Sequence, residues 1–370
     1  MIQIKPASCC LLSLALLNPN ALAQDGYDAL WSRATLYEDP DNKVVQRFAL
    51  SGRAQAEWVY YDADQGDYDD SLWRRFRFGF KADVAGNWTA HLEGDFDLNK
   101  SIDDSYQRLT DAYIAWSPGN NWKIKGLKHS AGFTLDGYTS SRKLLTPERN
   151  NLSNNLWYTD EYFTGLSAAG ECRENLHCSL GVYSTEDSDE ISQLEAGFFT
   201  LLSMGHDFGP ALGQDKLMLR GFHVYNNQDG NAATPAYRHI ASLISEWESG
   251  DWGLWADISA GWGYDGQSNV TGIVAMPFYY MTPRQQAVFR FTWIHSDDDN
   301  GIRVGRYENE IISGRGDEYR EWFAGFNWFF YGHKLKWQNG LQYTEMDDND
   351  GGDGEYQGWG FASVVRIYWD

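Results

Sequence analysis

Gly360-Phe361-Ala362-Ser363-Val364-Val365-Arg366-Ile367-Tyr368-Trp369, followed by Asp370, is the stretch whose reading decides the fold. Phe361, Ser363, Val365, Ile367 and Trp369 form one row and Ala362, Val364, Arg366 and Tyr368 the other. That is the two-residue period of a β-strand with one greasy face. A water-soluble fold would cover that face with a second layer. An alternating, aromatic-tipped strand at the C-terminus is also what closes a transmembrane β-barrel, whose outside faces lipid.

The same alternation recurs upstream and chooses the barrel. Phe48, Leu50, Ala54, Ala56, Trp58 and Tyr60 oppose Ser51, Arg53, Gln55 and Glu57; Leu72, Phe76, Phe78, Phe80, Ala82 and Val84 oppose Arg75, Arg77, Lys81 and Asp83. Trp88, Ala90, Leu92, Phe96 and Leu98 oppose His91, Glu93, Asp95 and Asp97. Further segments centre near Ala112, Ile124, Leu166, Val182, Phe199, Leu219, Leu243, Ala256, Val274, Phe291, Gly325, Gly340 and Ala362, sixteen in all. Tight turns at 85–87, 118–121, 249–252 and 331–334 alternate with long Asp/Gly-rich loops, which places the tight turns inside the cell envelope and the long loops outside. Tryptophans such as Trp58, Trp88, Trp116, Trp252, Trp322 and Trp369 sit near segment ends, as the two interfacial girdles of a membrane barrel require and a soluble sandwich or propeller does not.

Composition agrees. The chain holds 17 Trp, 22 Tyr and 19 Phe, yet its mean hydropathy is only −0.54. Interleaved lipid-facing and lumen-facing residues reconcile the two. No run after the N-terminus approaches the roughly 18 apolar residues of a membrane helix. Residues 1–23 read as a secretory leader, with Lys5, the apolar run Leu11–Leu17 and the cleavage site Ala21-Leu22-Ala23; residues 24–45 then form a periplasmic segment and 46–370 the barrel. Thirty basic against 52 acidic residues give −22, or −23 once Lys5 leaves with the leader, so nucleic acid is excluded as a partner. Acidic runs at 62–70, 297–299 and 347–355 read as outer loops, where cations bridging lipopolysaccharide would offset them. Cys172 and Cys178, in an exported chain, are expected to form a disulfide across the turn between them; His177 beside them lacks the ligands and spacing of a metal site.

From Lys128 to about Tyr162 alternation lapses for more than thirty residues, too long for an idle connection. It carries Thr139-Ser140-Ser141-Arg142 and Thr146-Pro147-Glu148-Arg149. There, and in Ala34-Thr35-Leu36-Tyr37-Glu38-Asp39 with Phe48 and Gly52-Arg53, the sequence resembles the phosphate-selective porins of Gram-negative outer membranes. The resemblance implies a sixteen-stranded antiparallel barrel with a long third extracellular loop folded inward, a homotrimer with one pore per subunit, and basic residues selecting phosphate at the constriction.

Strand parity turns Arg53, Arg75, Arg77, Lys81, Lys123, Lys125, Arg290, Lys336 and Arg366 inward, against Glu57, Asp83, Glu93, Asp95, Asp97, Asp111 and Asp257. Arg142, Lys143 and Arg149 on the long loop tip that near-balance positive at the constriction, because local placement outranks net charge. The expected protein is a porin passing small hydrophilic or anionic solutes without a cofactor or metal, in contact with outer-membrane lipid and lipopolysaccharide. A structural or adhesive barrel is the alternative. Catalysis is disfavoured: the eight His are scattered and no Ser lies in a nucleophile motif.

Overall fold

The computed structural model describes residues 24–369 apart from 120, 187, 229–231, 299–300 and 350. The expected leader and Asp370 lie outside the described residues. Alternation becomes sixteen barrel strands: β1 (Val45–Ala63), β2 (Gly66–Val84), β3 (Trp88–Phe96), β4 (Tyr106–Gly119), β5 (Trp122–Ser130), β6 (Tyr162–Arg173), β7 (Leu176–Ser184), β8 (Gly197–Asp207), β9 (Lys216–Gln228), β10 (Tyr237–Ser249), β11 (Trp252–Gly263), β12 (Val270–Thr282), β13 (Gln285–Ser296), β14 (Glu318–Tyr331), β15 (Leu335–Asp347) and β16 (Tyr356–Trp369). Each pairs antiparallel with the next, and β16 returns to β1 with Trp369 opposite Gly52 and Gly358 opposite Ala63. Closure leaves no unpaired edge, the condition for a sheet to cross hydrocarbon.

The outer wall is apolar, with Phe78, Leu92, Leu166, Leu243, Ile258 and Phe289 all exposed on it. Trp88 stacks on Trp116 at 6.1 Å near the short-turn rim, and Trp58, Trp322 and Trp359 stand near the opposite one. We expect Phe78→Lys to cost about 2–4 kcal/mol at mid-membrane and to abolish the heat-resistant folded band on a gel. Ser179→Lys, which enters the lumen instead, should leave that band intact.

Two details depart from strand parity. Pairing between β1 and β2 passes from Gln55–Arg75 to Ala56–Trp73, so Arg74 is a bulge residue with no partner opposite it. The extra residue flips everything beyond it: Leu72, expected to face lipid, instead packs inside near Val59, Tyr61 and Tyr307. The acidic run 62–70 is likewise no open loop, because β1 and β2 are each 19 residues long and meet in a two-residue turn, Asp64-Gln65. The hairpin carries its aspartates above the barrel as a ribbon.

At the short-turn rim, helix α1 (Gln24–Trp31) packs on the strand ends: the Trp31 indole donates to the Tyr368 carbonyl at 2.7 Å, and Tyr27 stacks on Tyr331 at 5.3 Å. The extended piece Thr35–Glu38 pairs with Arg47–Ala49, covering the stretch of β1 that β16 does not reach. Cys172 and Cys178 flank the β6–β7 turn and are disulfide-bonded, with Cα atoms 5.9 Å apart.

Candidate functional site

The long connection, 131–161, folds into the barrel and divides its interior. It contains α2 (Leu135–Tyr138) and α3 (Asn151–Leu156). Asn150 caps α3 by accepting from the Ser153 amide at 2.8 Å, and the Asp136 carboxylate accepts from the Asn150 amide and side chain at 2.7 Å each, tying the two helices together. The apolar side of the loop lies on β8–β13, where Phe133, Leu152, Leu156, Trp157 and Tyr158 join Phe199, Tyr237 and Val274 in one buried cluster. Glycine makes room for it: a Cβ on Gly261 would come within 2.7 Å of Leu156, and one on Gly272 within 2.6 Å of Leu152.

The loop's tip, 141–149, is held by its backbone. Lys336 donates to the Leu144 carbonyl at 2.6 Å, Gln338 to the same oxygen at 3.1 Å and Asn327 to the Leu145 carbonyl at 2.8 Å. Arg366 donates to the carbonyls of Ser141, at 3.1 Å, and Pro147. Arg290, in a fork on Glu321 at 2.7 and 3.1 Å, reaches the Glu148 carbonyl at 2.9 Å. Each bond from a charged donor in such an enclosed place is worth about 1.5–3 kcal/mol, so this basic wall fixes the loop.

Facing it, β1–β3 supply a layer of arginines and carboxylates. Arg53 lies 3.5 Å from Glu93, which also meets Arg142 at 3.8 Å and is wholly buried. Arg77 pairs with Asp95 at 3.2 Å and Glu161 at 3.6 Å, and Arg149 approaches Glu161 at 3.9 Å while its guanidinium lies over Trp157. Arg74, turned inward by the bulge, bridges Glu57 at 3.7 Å and Glu148 at 3.4 Å. Burial alone would raise the Glu148 carboxyl; Arg74 and Arg75 hold it down to about 2, so it stays ionised. Arg75 and Arg77 are thus buried against the loop, Arg149 is buried on it, Arg53 is buried at the cavity's edge, and Lys143 is exposed at the loop's tip.

A second loop, between β13 and β14, closes over the outer side. Ile302–Arg303 pairs with Arg315–Gly316, and the Arg303 backbone exchanges bonds of 2.9 and 3.0 Å with the Asn155 side chain on α3. Tyr307 is buried against Tyr61 and Tyr68, at 5.7 and 6.1 Å between rings, and the Gln342 side chain donates to buried Glu308 at 2.9 Å. The void left among Tyr61, Arg149, Arg290, Tyr307 and Glu321 is about 10 Å³, room for roughly one water.

The open volume is elsewhere. A cavity of about 630 Å³ extends from the short turns, at Asn121, Glu171 and His177, up to Tyr138, Thr139 and Arg142 of the inserted loop. Its basic lining is Arg53, Lys81, Lys123, Lys125, Arg142 and Arg220, against Asp111, Glu161 and Glu171. Lys81, Lys123 and Lys125 have no carboxylate within ion-pair distance among the described residues, whereas Asp111 lies 3.9 Å from His91. Lys81, Lys123 and Lys125, which strand parity turns inward, line this cavity; parity did not include Arg220, although its inward position on the Leu219 segment was legible, or Arg74, which the bulge turns inward against Glu57 and Glu148.

No curated protein matches the chain in sequence. Its fold is that of solved outer-membrane channels. The OmpF of Salmonella typhi, in complex with daunomycin, superposes with a TM-score of 0.64 at 10% identity over 90% of this chain and 100% of that one. The anion-selective porin from Comamonas acidovorans gives 0.61 at 11% over 87% and 99%, and the outer membrane channel DcaP of Acinetobacter baumannii gives 0.55 at 12% over 90% and 100%. Residues 48–200, from β1 into β8, match the family described as phosphate-selective porin O and P. Over that stretch the chain is similar to the phosphate-selective porins O and P, and its barrel is built as a porin's throughout.

Proposed function

We propose that the chain is exported by residues 1–23 to the outer membrane, assembles as a homotrimer in contact with lipopolysaccharide, and gives each subunit a water-filled channel that favours small anions. The observation that carries the anion preference is the cavity wall, where six Lys and Arg face three carboxylates and Lys81, Lys123 and Lys125 stand without ion-pair partners among the described residues. A cleft of one sign with low-dielectric walls concentrates the opposite ion. The Comamonas acidovorans relative in fold is itself an anion-selective porin. A dedicated phosphate site at the constriction is the weaker reading, since Arg77, Arg149, Arg290 and Arg366 are engaged with the inserted loop and with Asp95, Glu161 and Glu321. An adhesive or structural barrel has no use for a charged interior cavity of about 630 Å³. Reversal potentials of the reconstituted protein in a potassium chloride gradient test the proposal: chloride preference is expected, and cation preference or absence of channels rejects it.

A further inference from the structure

Arg220 is an anomaly in the lumen. It projects from β9 into the cavity, 7% exposed, and among the described residues it has no carboxylate within ion-pair distance. Among the described residues its side chain makes one hydrogen bond, to the Ser203 hydroxyl at 3.4 Å, and its Nε is buried without a partner. A buried charge lacking a counter-charge is costly by several kcal/mol, and an anion entering from the cavity would relieve it. Beside it stands a second anomaly. Tyr113, Tyr162 and Tyr183 line the same cavity at 8% exposure or less, but Tyr138, at the end of α2, is 46% exposed. The Arg220 guanidinium lies 5.1 Å from the Tyr138 ring centre and Phe222 packs 5.3 Å away, leaving the remaining ring surface open to the cavity.

Resting on the anion-channel reading, we propose that Arg220 and Tyr138 form a subsite for a small aromatic carboxylate. The carboxylate lies on the guanidinium, beside the Ser203 hydroxyl, which is itself 2.6 Å from that of Ser179. The ring lies along Tyr138, with Leu201 and Tyr183 also on the cavity wall. One guanidinium and neighbouring hydroxyls match the two oxygens of a monocarboxylate. Phosphate carries more charge and more oxygens than this corner can satisfy, and it leaves the open aromatic face unused. Stacking between rings is what separates an aromatic acid from an aliphatic one here.

The test is block of chloride current through the full-length barrel in planar bilayers by benzoate, acetate and inorganic phosphate at matched ionic strength. Benzoate should reduce conductance at about tenfold lower concentration than acetate or phosphate. Tyr138→Leu should remove that advantage, Tyr138→Phe should keep it, and Arg220→Gln should weaken block by benzoate and acetate alike. Acetate or phosphate blocking as well as benzoate in the unaltered protein overturns the proposal, and that comparison stands even if a variant fails to insert. So does an undiminished benzoate advantage in Tyr138→Leu. The reversal potential of the same channels reports separately: anion-selective channels indifferent to benzoate sink this subsite alone, whereas cation selectivity sinks the channel reading beneath it.

Discussion

Replacing residues 302–314 by a few glycines and serines should raise single-channel conductance about two- to threefold, because flow through a pore is set by its narrowest section. In the structure the β13–β14 loop closes over one end of the barrel and leaves about 10 Å³ beside Tyr307, while the cavity at the short-turn end holds about 630 Å³. The loop's seat has a titratable component. Burial pushes the Glu308 carboxyl up to about 7, with Glu321 adding to the rise and the Thr344 hydroxyl, the Gly305 amide and the Gln342 side chain opposing it; Tyr61, Tyr319 and Tyr356 stand around the same carboxyl. A released Glu308 would titrate near its ordinary value of about 4.3. The seated loop therefore binds the proton more tightly, and seating is favoured at low pH and weakens as pH rises from about 4 to about 7. Conductance recorded across that window should climb with pH in the native chain and stay flat in Glu308→Gln. Unchanged conductance in the shortened protein would remove the loop from any role in the pore.

How much of this was legible follows from how local the cause is. Lipid on one side and water on the other impose a two-residue period wherever the chain crosses, so strands, tight turns and the ring itself could be read from Phe48 to Trp369. One inserted residue defeats that reading, and nothing in the string Trp73-Arg74-Arg75-Phe76 says which arginine is the bulge. The inserted loop announced itself as a lapse in alternation. Its anchors did not, because Asn327, Gln338 and Lys336 are ordinary lumen residues until the carbonyls of Leu144 and Leu145, more than 180 positions away, are brought to them. The acidic run 297–299 read as a solvated outer loop, and the burial of Ile302, Val304 and Tyr307 just after it was not legible for the same reason: it depends on what lies beneath them. Parity turned Arg75 and Arg77 inward, yet parity cannot tell a side chain that lines water from one sealed under a loop.

That distinction sets the largest expected change in selectivity. Replacing Lys81, Lys123 and Lys125 together by Glu should reverse the pore from anion to cation preference, and replacement by Gln should leave it near neutral. The three line the same open cavity and lack ion-pair partners among the described residues, so each substitution alters the field that a passing ion meets. Asp67→Asn and Asp69→Asn, on the projecting hairpin, make a useful contrast. Salt screens exposed charges beyond a Debye length of about 10 Å at 0.1 M, so those changes should hardly move the reversal potential. Arg77→Gln should act differently again. It would strip Asp95 and Glu161 of a buried partner and lower the heat-resistant folded fraction, at a cost of about 3–5 kcal/mol for breaking a buried pair. If the lysine triple mutant keeps its anion preference while Arg77→Gln loses it in a fully folded barrel, the selective element is the buried arginine layer, and the cavity is only the vestibule leading to it.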